Sequence, residues 1–115
     1  MILLTSINDR LQIVTSAASA INVHASWVDT LTGTVTPGRL NSSISAAITT
    51  TVVPAPAAST QRNMKTLHVR NVHASIPTDV TVQHTDGTIT SQLYKTTLSA
   101  GQMLEYTDQA GFGVQ

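Results

Sequence analysis

Lys65-Thr66-Leu67-His68-Val69-Arg70-Asn71-Val72 is the stretch that decides the fold. Leu67 and Val69 share one face, and Thr66, His68 and Arg70 share the other. This period-two alternation is what a half-buried strand needs, because successive side chains leave opposite faces of a pleated sheet. Downstream, a turn at Ser75-Ile76-Pro77-Thr78 leads into Val80, Val82 and His84 on an inward face, against Thr81 and Gln83. Asp86-Gly87 separates two such runs and predicts a type I′ hairpin turn, since Gly accepts the positive φ required there. In the return strand, Thr88 to Leu98, the apolar parity changes between Ile89/Leu93 and Tyr94/Leu98, which predicts a bulge near Leu93.

Upstream, Arg10 to Thr15 alternates with Leu11, Ile13 and Thr15 on one face. Ile21, Val23, Ala25 and Trp27 form the next inward row, with Asn22, His24 and Ser26 outward, so Trp27 reads as a core anchor. Thr30 to Gly38, carrying Gly33, Pro37 and Gly38, reads as a loop. From Ser43 to Val53 the even positions Ile44, Ala46, Ile48, Thr50 and Val52 make one apolar face, and the β-branched run favours strand over helix. Pro54 and Pro56 end it, since proline cannot donate to a central ladder. Ala57 to Asn63 reads as a polar loop. Ala100-Gly101 turns the chain into two last short strands, Met103–Thr107 and Gly111–Val114.

Seven to eight short strands, with turn signals about ten residues apart, predict an all-β fold. The expected architecture is an antiparallel β-sandwich of jelly-roll-like kind, or a small barrel. At 115 residues the chain reads as a single domain, 1–115, with 1–9 as an N-terminal arm.

The surface this composition implies is sparsely charged. Only 10% of residues are Asp, Glu, Lys or Arg, against about 25% in an ordinary soluble domain. Thr and Ser fill their place, at about a quarter of the chain. With a formal net charge of zero there is little colloidal repulsion, so the chain is expected to associate, as a homo-oligomer and with packing partners. Thinly spread basic residues and 3% aromatics predict no nucleic-acid partner. The opening Met1-Ile2-Leu3-Leu4 has no basic flank and is too short to span a bilayer, which predicts assembly in the cytoplasm and no membrane partner.

Candidate chemistry is sparse. Without cysteine, neither a disulfide framework nor a thiolate zinc site is available. His24, His68, His73 and His84 show no HxH or HExxH spacing, so no metal ligand set is expected unless subunit symmetry supplies one. By strand parity His24 and His68 face outward, while His84, beside Val82, reads as a hydrogen-bonded boundary residue. There is no Gly-x-Ser-x-Gly elbow, and the acids fall mostly at turns, where Asp bonds the backbone. The expectation is therefore no catalytic residue, no cofactor and no enzyme. Arg39, Arg62, Lys65 and Arg70 are the candidate contact residues, because Arg is enriched at interfaces for its directional fork. The segments expected to carry contacts are Thr30–Arg39, Pro54–Asn63 and the arm Met1–Ile7.

Five stretches together carry a resemblance. They are Leu11–Ala18, Gln61–Asn71, His73-Ala74-Ser75 with Asp79–Gln83, Leu98–Tyr106, and Gly111-Phe112-Gly113-Val114. Over nearly its whole length the chain resembles a family of small tailed-bacteriophage proteins encoded among virion morphogenesis genes. These are strand and turn motifs, not a catalytic set. Gln102 stands where that family often has Glu after the Ala-Gly turn, and no active residue depends on it. The resemblance implies a virion structural protein, first of all a capsid decoration or cement protein binding the major capsid protein. A neck, collar or tail accessory protein bound to head–tail or tail subunits is the second implication. A receptor- or glycan-binding fibre module is a third. The sparse aromatics count against sugar stacking. A buried Trp27 leaves Tyr94 and Tyr106 as the only candidates, and a Trp27 exposed in a groove would revive that option.

Overall fold

The alternating stretch around Leu67 lies at the centre of the larger of two sheets. The computed structural model describes residues 1–115, which form β1 (Ile2–Leu4), β2 (Arg10–Thr15), β3 (Ile21–Leu31), β4 (Thr34–Ile44) and β5 (Thr49–Val53) in the first half. The second half forms β6 (Gln61–Asn71), β7 (Thr78–Thr85), β8 (Thr90–Leu98), β9 (Met103–Thr107) and β10 (Gly111–Val114). One sheet has the order β10-β9-β6-β3-β4, with β1 paired to the start of β6; the other is β5-β2-β7-β8. Every pairing is antiparallel. The sheets pack through one cluster of 18 buried apolar side chains, and no strand pairing joins them. The fold is an all-β sandwich of ten strands rather than seven or eight, and it does not close into a barrel.

The rows read from alternation are the core. Leu11, Ile13, Ile21, Val23, Ala25, Trp27, Leu67, Val69, Val80 and Val82 are all buried. The expected bulge is present: β7–β8 register steps from Val82↔Tyr94 to Gln83↔Gln92, which leaves Leu93 as the extra residue. A second bulge makes Lys65 the extra residue of β6, between Thr66 opposite Ser26 and Met64 opposite Trp27. It switches the buried parity of β6 from Met64 to Leu67, Val69 and Asn71. A third sits at Val52, so that Val52 and Val53 are both fully buried although adjacent.

Four local readings are corrected. Thr30–Gly38 is not a loop: β3 continues to Leu31, Thr32-Gly33 turns, and β4 runs back through Pro37 and Gly38. Both turn residues have positive φ, 45° at Thr32 and 82° at Gly33, so the type I′ hairpin lies here. Pro37 is tolerated because β4 is an edge strand, where a missing N–H can face solvent. Asp86-Gly87 instead belongs to a four-residue loop in which only Gly87 has positive φ. Asp86 Oδ1 accepts hydrogen bonds from the N–H groups of Thr88 and Ile89, at 2.9 and 2.7 Å. Those bonds to Ile89 and Thr88 hold its carboxyl below the ordinary value.

Ser43–Val53 is not one strand either. It breaks at residues 45–48, where the chain crosses between sheets and Thr15 Oγ1 donates to the Ala46 carbonyl at 2.6 Å. Ile48 is consequently exposed instead of inward. The fourth correction concerns Ala57–Asn63, whose last three residues already belong to β6.

Buried Asn71 ties down the opposite end of the sandwich from the β3–β4 turn. Its Nδ2 donates to the carbonyls of Ile76 (2.8 Å) and Leu98 (3.0 Å), and its Oδ1 accepts from Ser19 Oγ and the His73 N–H, each at 3.0 Å. With both ends of the amide satisfied, its burial leaves nothing unpaired.

Gly38 is required for a different reason. A Cβ built there would overlap the Trp27 indole, at Nε1 and Cε2. Gly38→Ala is expected to destabilise the fold by about 1–3 kcal/mol through overpacking. Urea unfolding would read the loss as a lower midpoint, and an unchanged midpoint would contradict the close approach.

Candidate functional site at one end and on one face of the sandwich

The first residues of β6 are paired on both sides. Leu4↔Arg62 and Leu3↔Asn63 bring in the N-terminal arm, while Thr30↔Gln61 and Asp29↔Arg62 bring in the β3–β4 hairpin. The β5–β6 loop leads into the same place. The three segments that the sequence marked for contacts therefore converge on one end of the molecule. The β7–β8 loop joins them, since Gly87 approaches the Asn8 side chain and β2 starts opposite Thr85. Leu3, Ile7, Leu31, Val35 and Ile89 are exposed there, Val35 at 62% and Ile89 at 66%. From Thr34 to Pro37 every residue of β4 is exposed.

Arg62 holds this end together from within. Its Nε donates to Asp29 Oδ1 at 2.8 Å, Nη2 to Asp29 Oδ2 at 3.0 Å, and Nη1 to the Pro54 carbonyl at 2.7 Å. Its guanidinium also stacks over the Trp27 ring, 4.6 Å from the centroid. One side chain thus joins β3, β6 and the β5–β6 loop, and only 11% of it is exposed. Arg62 is therefore engaged by partners within the fold. Lys65, displaced by its bulge, reaches Asp108 Oδ2 at 3.0 Å. Arg39 and Arg70 carry no ion pair and are exposed on the outer face of the large sheet.

That outer face holds a constellation the sequence did not reveal. Asn41, His24, His68 and Glu105 stand in one row across β4, β3, β6 and β9, as direct cross-strand partners. His24 Nδ1 lies 2.6 Å from Asn41 Oδ1, and His68 Nδ1 lies 3.9 Å from Glu105 Oε2. A groove of about 530 Å³ runs beside the row, lined among others by Asn22, Ser42, Arg70 and Met103. Both histidines face outward as their strand parity predicts, yet they face outward together. The other two are tied to backbone. His84 Nε2 lies 3.1 Å from the Leu3 carbonyl, across the gap between sheets, as a boundary residue. His73 Nδ1 accepts from the N–H groups of Ser75 and Ile76, both at 3.0 Å.

Aromatic rings close one side of the sandwich. Phe112 of β10 stacks on Tyr94 of β8 at 5.0 Å and tilts against Tyr106 of β9 at 4.9 Å. Trp27 is buried, so it does not stand exposed in a groove as sugar stacking on it would need. Burial, then the nearby Asp108 charge, raises the Tyr106 hydroxyl above its ordinary value. A raised folded value favours the neutral phenol. Its contribution to stability is complete below the ordinary value of 10.0 and is lost as pH rises through the folded value. Tyr106→Phe is expected to raise stability at neutral pH by up to about 1–3 kcal/mol, because the hydroxyl is buried without a hydrogen-bond partner. It should also flatten the fall in melting temperature on the alkaline side. An equally steep alkaline fall in both proteins would contradict this.

Comparison of the chain with protein-family models, with curated proteins and with solved structures finds no match.

Proposed function

We propose that this chain is a structural protein of a tailed-bacteriophage virion, assembled in the host cytoplasm. In this reading it acts as a capsid decoration protein, seated on the outer capsid lattice and against its own copies. The resemblance of its strand and turn motifs supports the virion assignment. The observation that carries the docking mode is the convergence of the N-terminal arm, the β3–β4 hairpin and the β5–β6 loop on one end rich in exposed apolar side chains.

Such an end suits packing. Leu31, Val35, Ile7 and Ile89 offer area whose removal from water is favourable. The surrounding Thr and Ser side chains cost less to desolvate than charged groups would. The molecule measures 47 × 28 × 20 Å. Its end therefore presents an area comparable with the about 500 Å² that each partner gives to a minimal specific interface. The β4 edge adds unpaired backbone groups along one flank of that end, where a capsid strand or a second copy can pair.

Copy number in purified particles tests the proposal. A decoration protein is expected in proportion to the major capsid protein, measured by quantitative mass spectrometry. A count that matches a single ring would replace it with a neck or tail accessory role, and absence from the particle would overturn the virion assignment itself.

A further inference from the structure

We propose that His24 and His68 form a binding site for a divalent first-row transition ion, of the Zn²⁺, Ni²⁺ or Cu²⁺ class, on the outer face of the large sheet. The two residues are direct partners across β3 and β6, which places their Cβ atoms about 4.5–5.5 Å apart. Both side chains are partly exposed, so an ion reaches them without opening the fold.

Their ring orientation is what points to a metal. An amide oxygen only accepts, so the 2.6 Å contact with Asn41 Oδ1 requires that His24 Nδ1 carry the proton. In the neutral ring Nε2 then keeps its lone pair. On the other side of the pair, His68 turns Nδ1 toward the Glu105 carboxylate. Asn41 lies on β4 and Glu105 on β9, the two strands that flank the pair. Each Nδ1 therefore points away from the other histidine, and the two Nε2 edges lean toward the gap between β3 and β6. The hydrogen bond to Asn41 fixes the His24 tautomer as it does in ligating histidines, while the Glu105 carboxylate, 3.9 Å from His68 Nδ1, adds negative charge behind the second ring. Imidazole nitrogens select Zn²⁺, Cu²⁺ and Ni²⁺ over hard cations.

No set of three or more His, Asp or Glu converges anywhere in the chain. The pair therefore supplies two ligands and water completes the shell, as an open site. Arg70 lines the same groove two residues beyond His68 and carries no ion pair. Its charge works against a cation, so the affinity of the wild-type chain is held down by it.

Calorimetric titration of the metal-stripped full chain with Zn²⁺ and Ni²⁺ tests the site. One ion per chain is expected, with His24→Ala and His68→Ala each losing at least tenfold in affinity while His73→Ala binds unchanged. Asn41→Ala is expected to lose about tenfold through the freed ring, and Arg70→Gln to bind more tightly than wild type. All these positions are on the outer face or in an exposed turn, and each variant is expected to give the wild-type circular dichroism spectrum. Binding that survives both His24→Ala and His68→Ala, or no binding at millimolar metal, would overturn the proposal. Weaker binding in Arg70→Gln would do the same, because it would make the groove an anion site.

Discussion

Trp27→Ala is expected to destabilise the protein by about 3–5 kcal/mol, the largest single-residue effect in the molecule. The indole is 7% exposed and projects inward from β3, a strand paired on both sides. It packs with the Arg62 guanidinium over its ring and Gly38 against its edge. Truncation therefore removes a large apolar group from the core and leaves a gap that backbone on one side and an ion-paired side chain on the other cannot collapse to fill. A domain of this size has only about 5–15 kcal/mol of total stability, so the variant is left near its limit. Urea unfolding is the measurement, with the denaturant slope held constant to confirm a two-state comparison. A loss below about 1 kcal/mol would place Trp27 among ordinary surface positions and would contradict the packing described here.

The second large effect is on association. Leu31→Asp combined with Val35→Asp is expected to leave the unfolding midpoint unchanged, since both side chains are exposed beside the Thr32-Gly33 turn. Binding to particles is expected to fall by at least about thirtyfold, the equivalent of losing a central contact worth about 2 kcal/mol. Charges placed there would have to be desolvated without partners, which adds to the lost apolar contact. Ile48→Asp is the control, because Ile48 is equally exposed but lies at the opposite end of the sandwich. Co-sedimentation of purified protein with particles that lack it reads both variants. Retained binding by the double variant, or loss by Ile48→Asp, would move the docking surface away from the hairpin end.

What was legible in the sequence was local. Period-two alternation at Leu11–Ile13, Ile21–Trp27 and Leu67–Val69 identifies inward faces because the pleat itself imposes that period. The parity change around Leu93 was legible for the same reason, as a break in a local pattern. Pro37 and Gly38 misled, because proline and glycine usually mark loops. Here an edge strand accepts the proline, and a close approach to the Trp27 indole demands the glycine. Thr32-Gly33 went unread as a turn because a β-branched residue at positive φ is uncommon.

The bulge at Lys65 was hidden inside a stretch that alternates well on its own, since only the register with β3 exposes it. The candidate sites depend on the same non-local pairing. His24 and His68 are far apart in sequence, and strand parity could place each outward but not side by side. Arg62 had the profile of an interface residue, and its partners Asp29 and Pro54 become visible only once β6 lies beside β3. Length and exposure single out the three contact segments one at a time, and their convergence on one end follows from β6 pairing with β1 and β3 together.

Cryo-electron microscopy of the intact virion, with this chain located in the map, tests the central claim most directly. Density on the outer capsid surface is expected, with the β3–β4 hairpin, the N-terminal arm and the β5–β6 loop facing capsid subunits. Density confined to the neck or tail, or a particle without the chain, would contradict it.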